Sequence, residues 1–98
     1  MIKVTRFYSK EELVGLEVRG HANSDEYGKD LVCAGVSSIL IGGFNALVKS
    51  EIDEVTLEEG YAKVMIKEDS NISKIVLNVI ETQLLTIEES YPKNIKIK

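Results

Sequence analysis

The chain has 98 residues, a net charge of −4, and a single proline, a single histidine and a single cysteine, which bounds it to one small domain spanning residues 1–98 with one core. The acidic balance argues against nucleic acid as the main ligand, because binding phosphates needs a basic patch and the lysines here are dispersed among more numerous acids. A lone cysteine excludes an internal disulfide, and one cysteine with one histidine is a poor donor set for zinc, so no metal or other cofactor is expected.

Met1-Ile2-Lys3-Val4 begins directly as a strand, without the charged and apolar regions of a secretory signal. No apolar run reaches the length needed to span a bilayer, and a cytoplasmic protein with no membrane partner is expected. From Leu13 to Arg19, Val14, Leu16 and Val18 alternate with Gly15, Glu17 and Arg19, the period-two signal of a half-buried strand. His21 therefore falls just past a strand end. Residues 22–29 are mostly small, polar or charged, and Gly28 is a candidate hinge. Such a loop either closes over a ligand or is an ordinary surface connection.

Asp30 is a good N-cap type for a helix over Leu31 to Val48, with apolar residues at Val32, Val36, Ile39, Leu40, Phe44, Leu47 and Val48. Gly42-Gly43 lies inside this pattern and reads as close helix packing rather than a phosphate loop. Cys33 is expected in the first helical turn. Unpaired amides and the positive end of the helix dipole there favour a thiolate and offer donors to an oxyanion.

Asp53 to Glu58 and Tyr61 to Lys67 form two alternating runs joined at Glu59-Gly60, a hairpin. A second helix follows, with Asn71 or Ser70 as its cap and Ile72, Ile75, Val76, Val79, Ile80, Leu84 and Ile87 as one apolar stripe for the core. Tyr91-Pro92 ends it, and Ile95 and Ile97 alternate with lysines in a last short strand whose Lys93, Lys96 and Lys98 suit a sheet edge. The order β-β-α-β-β-α-β predicts an α+β fold, a mostly antiparallel sheet with two main helices on one or both faces.

The imidazole and the thiol are the one pair in the sequence suited to nucleophilic catalysis, since a histidine takes a thiol's proton or lowers its pKa. A lone cysteine is also commonly a small inert hydrophobe. Ser37 follows Cys33 by four residues and shares its helix face, either within reach of the site or bonded back to a helix carbonyl. Asp30 either caps the helix, orients His21 or attracts a basic substrate, and Gly20 permits a backbone turn or close approach.

Gly20-His21-Ala22, followed by Tyr27-Gly28-Lys29-Asp30-Leu31-Val32-Cys33-Ala34 and Val36-Ser37, resembles the ribosomal-processing cysteine protease family, Prp. The resemblance covers essentially the whole chain. It implies a cysteine endopeptidase that removes the N-terminal extension of a large-subunit bacterial ribosomal protein, with that protein's N-terminal tail as partner and apolar or aromatic residues before the cut. By resemblance Cys33 matches the nucleophile and His21 the general base, while Gly20, Asp30 and Ser37 match other positions of the motif. A homodimer is implied as well, for which a sheet edge or the Ile41-Gly42-Gly43-Phe44 region is a candidate interface. Asn23-Ser24 stands where a small glycine-containing turn is common and Gly35 where alanine is. Two other readings are a non-catalytic ribosome-associated peptide-binding protein and a redox sensor, the latter lacking a resolving cysteine.

Overall fold

Alternating side chains in β1 (Ile2–Ser9) and β2 (Glu12–Arg19) build an antiparallel hairpin that begins the sheet. The computed structural model describes residues 1–20 and 29–98; His21, Gly28 and the Asn23-Ser24 pair lie outside the described residues. After these come α1 (Lys29–Ala46), a short 3-10 turn (Lys49–Glu51), β3 (Ile52–Glu58), β4 (Tyr61–Ile66), α2 (Ile72–Ser90) and β5 (Ile95–Ile97). The five strands lie in the order β3-β4-β2-β1-β5, with β1 and β5 parallel and every other pair antiparallel. The α+β architecture is the one expected from the chain's periodicity.

One face of the sheet carries Ile2, Val4, Leu16, Val18, Val64 and Ile95, all buried, and both helices cover that face. Val32, Val36, Leu40 and Phe44 of α1 and Leu77, Ile80 and Leu84 of α2 complete the core. Among the described residues, no helix lies on the opposite face. Its half-buried layer includes Phe7, Glu17, Tyr61, Lys63 and Met65, with the Lys63 ammonium 5.7 Å from the centre of the Phe7 ring. A bulge between Phe7 and Tyr8 shifts the β1–β2 register, and Leu13 is buried next to Val14 beside it.

The first helix runs two residues ahead of its expected span at both ends. Its C-terminus closes in a three-residue turn, with the Leu47 amide bonded to the Phe44 carbonyl at 3.3 Å, and a tertiary contact follows at once as the Val48 amide donates to Ser73 Oγ at 2.9 Å. Of the expected Gly42-Gly43 packing contact, Gly43 alone makes it. A methyl there would meet the Ile80 side chain at 2.5 Å, whereas Gly42 has open space. Gly35 similarly faces Ile87, whose Cδ1 would lie 3.2 Å from an added methyl. Phe44 is a core residue, which leaves Ile41 as the exposed large apolar side chain of the interface region expected from sequence.

The apolar stripe of α2 is only in part the one read from sequence, since Val76, Ile80, Leu84 and Ile87 pack on the core and the other three residues do not. Ser73, Leu77, Ile80 and Leu84 are buried, while Ile72, Ile75 and Val79 are more than half exposed. Both sets satisfy three- and four-residue spacing, and docking on α1 and β2 selects the stripe that includes Leu77. The cap also differs. Asn71 occupies the N-cap position without a side-chain cap bond. Glu51, from the 3-10 turn, accepts hydrogen bonds from the Asn71 and Ser73 amides at 2.8 Å each.

These amides hold the Glu51 carboxyl below the usual carboxylate range, the Asn71 bond contributing most. A pKa lowered on folding stabilises the protein above the unfolded value of about 4.3, and the contribution is lost as pH falls through the folded value. Glu51→Gln should therefore lower the melting temperature at pH 7, and its gap from the unmodified protein should close as the pH is brought below about 4. Thermal melts between neutral and acid pH check this.

Strain is concentrated in the turn joining β1 to β2. Lys10 and Glu11 have φ of 51° and 68°, so a two-residue hairpin of the I′ type is made without asparagine or glycine. Lys10→Asn with Glu11→Gly is expected to stabilise the fold by about 1 kcal/mol, raising the melting temperature by about 5 °C. A scanning calorimetry trace of the double variant is the check.

Candidate active site

Cys33 is held by α1 and is half-buried. It is the fifth residue of that helix, at the start of the second turn rather than in the first, because the helix begins at Lys29. Asp30 accordingly lies inside the helix by one residue and not at its cap position. The amides left free by helix geometry within α1 are those of Lys29, Asp30 and Leu31, in the turn ahead of the thiol.

The thiol opens into a cleft of about 540 Å³ between α1 and the β3–β4 hairpin. Ser37, one helical turn on from Cys33, lines the same cleft and is exposed. So does Gly20 at the end of β2. Gly20 has φ of +115°, donates its amide to the Gly60 carbonyl at 3.0 Å, and leaves 2.4 Å between a would-be Cβ and the Met1 carbonyl oxygen. A side chain is excluded there twice, by conformation and by backbone contact. Three residues singled out from sequence, Gly20, Cys33 and Ser37, thus meet at one cleft. His21 is bonded to Gly20 in sequence and lies outside the described residues, as does the expected hinge at Gly28.

Val18, Val36, Leu40, Leu57 and Ala62 give the cleft an apolar lining, and Glu58, Glu59 and Gly60 of the hairpin form its far rim. None of the hairpin residues was singled out as a site residue from sequence. Their period-two pattern announces a hairpin but nothing about which helix it faces. Tyr61, at the base of the hairpin, is fixed from behind: its hydroxyl donates to Glu17 Oε2 at 3.0 Å and the Arg19 guanidinium sits 4.7 Å from its ring centre. The Arg19 bond, at 3.1 Å, is the main reason the Glu17 carboxyl sits below its ordinary range. Burial, with the Glu17 carboxylate next to it, pushes the Tyr61 phenol up. Among the described residues, no helix is long and apolar enough to cross a membrane.

The chain shares 34% identity over 83 residues with the ribosomal processing cysteine protease Prp of Staphylococcus aureus, covering 80% of this chain and 78% of that one. With the protein of the same name from Bacillus subtilis it shares 29% over 107 residues, covering 99% and 96%. A crystal structure of the S. aureus ribosomal processing protease Prp, in complex with a covalently linked product peptide, superposes with a TM-score of 0.86 at 31% identity, over 100% of this chain and 98% of that one. A single-domain α+β fold with a cysteine lining a cleft, matched in this way, is a cysteine protease. The chain belongs to the cysteine protease Prp family, whose model matches residues 1–96.

Proposed function

We propose that the protein is an endopeptidase that removes the N-terminal extension of a large-subunit ribosomal protein in the cytoplasm, with Cys33 as nucleophile and His21 as general base. The observation that carries this reading is the meeting of Cys33 and Gly20 in one cleft, since Gly20 is covalently bonded to His21. The product peptide held covalently by the S. aureus relative supports a peptide substrate.

In the proposed cycle His21 takes the Cys33 proton, and the thiolate adds to the scissile carbonyl. The tetrahedral intermediate collapses as the imidazolium protonates the departing amine, leaving a thioester. His21 then deprotonates a water that attacks this thioester, releasing the carboxylate product and returning the proton to the thiol. Because Cys33 stands one turn into α1, the imidazole does most of the thiol activation, and the free amides of the preceding turn are the candidate oxyanion donors. Ser37 and Asp30 serve as supporting polar groups, Gly20 makes the close backbone turn that leads into His21, and Gly28 supplies a hinge. The apolar cleft wall suits apolar and aromatic residues before the cut.

A homodimer belongs to the same reading, supported by the exposed Ile72, Ile75 and Val79 of α2. The test of function is mass spectrometry of the organism's own N-terminally extended large-subunit ribosomal protein after incubation with the enzyme. Loss of the extension, abolished by Cys33→Ala and by His21→Ala, is the expected result. An intact substrate with the unmodified protein overturns the reading.

A further inference from the structure

We infer that the free edge of β3 is the docking surface for an extended peptide segment in which basic and apolar residues alternate, a proposal that rests on the peptidase reading for the chain that docks there. β3 ends the five-strand order, so among the described residues one row of its backbone amides and carbonyls has no strand beside it. Val55 and Leu57 point to the same side of the sheet as their partners Val64 and Ala62. Those partners are buried, yet Val55 and Leu57 are 50% and 45% exposed. Glu54 and Glu58 alternate with them on the other side, opposite Met65 and Tyr61, where Glu54 pairs with the Lys63 ammonium at 3.5 Å through one carboxylate oxygen and stays half exposed.

The edge is therefore two-sided, apolar toward α1 and acidic away from it. No lysine or arginine occurs from Ser50 to Ala62, a stretch that holds Glu51, Asp53, Glu54, Glu58 and Glu59. The edge is also continuous with the Cys33 cleft, because Leu57 and Glu58 line both. An incoming strand would complete the backbone ladder, set its apolar side chains beside Val55 and Leu57, and bring its cationic ones to Glu54 and Glu58. A second copy's β3 is a poor occupant, since antiparallel pairing of two such edges sets acid against acid.

The test measures binding to the full-length Cys33→Ala protein by fluorescence anisotropy with labelled synthetic peptides. One alternates valine with lysine, one carries glutamate in place of lysine, and one is the lysine peptide N-methylated at alternate amides so that it cannot pair along one edge. The lysine peptide is expected to bind about tenfold or more tightly than either of the others, the sum of a few cross-strand charge pairs. Glu54→Lys with Glu58→Lys should reverse the preference toward the glutamate peptide. Equal affinities for the three peptides, or no binding of any, overturns the proposal, whatever the charge-reversed variant does. No cleavage enters this measurement, so its failure is distinct from an intact ribosomal substrate, which sinks the peptidase reading instead.

Discussion

Cys33→Ala is expected to reduce peptide cleavage to background, a loss of roughly ten-thousand-fold or more in kcat/KM, and His21→Ala to cause a loss of similar order. In the proposed dyad the thiol and the imidazole act as a unit, so the double variant should be scarcely worse than either single one. Cys33→Ser keeps the shape but replaces a polarisable, readily ionised thiol with a hydroxyl, and it should fall close to the alanine variant. Both changes at Cys33 fall on a half-buried side chain at the cleft wall, so folding should survive them. Steady-state cleavage of a peptide spanning the extension junction, with circular dichroism to confirm the fold, reads the outcome. Substantial turnover by Cys33→Ala would exclude the thiol as nucleophile.

The largest expected effect on stability lies in α2. Leu77 is 0% exposed in the middle of the helix that packs on α1 and β2. Leu77→Ala removes that contact and leaves a cavity, which should cost about 3 kcal/mol and lower the melting temperature by roughly 15 °C in a domain of this size. Ile75, two residues earlier on the same helix, is 66% exposed. Ile75→Ala should cost about 0.5 kcal/mol or less in the monomer. Chemical denaturation of the two variants side by side separates them. A large cost at Ile75 that grows with protein concentration would mean that a second copy covers it.

The contrast between Leu77 and Ile75 shows what a single sequence does and does not specify. Period-two alternation is plain for Val14, Leu16 and Val18 of β2 and for Ala62, Val64 and Ile66 of β4, because a one-residue slip would turn these core side chains to the other face. For α2 the apolar residues wrap much of the helix, so periodicity announces a helix without saying which stripe docks. Ser73 was invisible as a core residue for the same reason. Its burial depends on receiving the Val48 amide from another element, a contact between residues 25 apart.

Caps divide in the same way. A cap supplied by the residue beside a helix is a local pattern, and the sequence suggested Asn71 or Ser70 for α2. The carboxylate that serves α2 comes from Glu51, twenty residues away from Asn71, and no local signal reports it. The start of α1 moved likewise, carrying Cys33 from the first turn into the second.

By itself the sequence determined the element order, the α+β class, the hairpin at Glu59-Gly60 and the identity of the one thiol and one imidazole, because these depend on local spacing and residue chemistry. Only the tertiary structure decided that Gly20, Cys33 and Ser37 share a cleft, that the β3–β4 hairpin forms its far wall, and that Glu51 caps a helix remote in sequence. Each of these is a contact between segments far apart along the chain. Their meeting is set by which faces of the sheet and helices bury together, and that choice is a property of the whole core rather than of any window of residues.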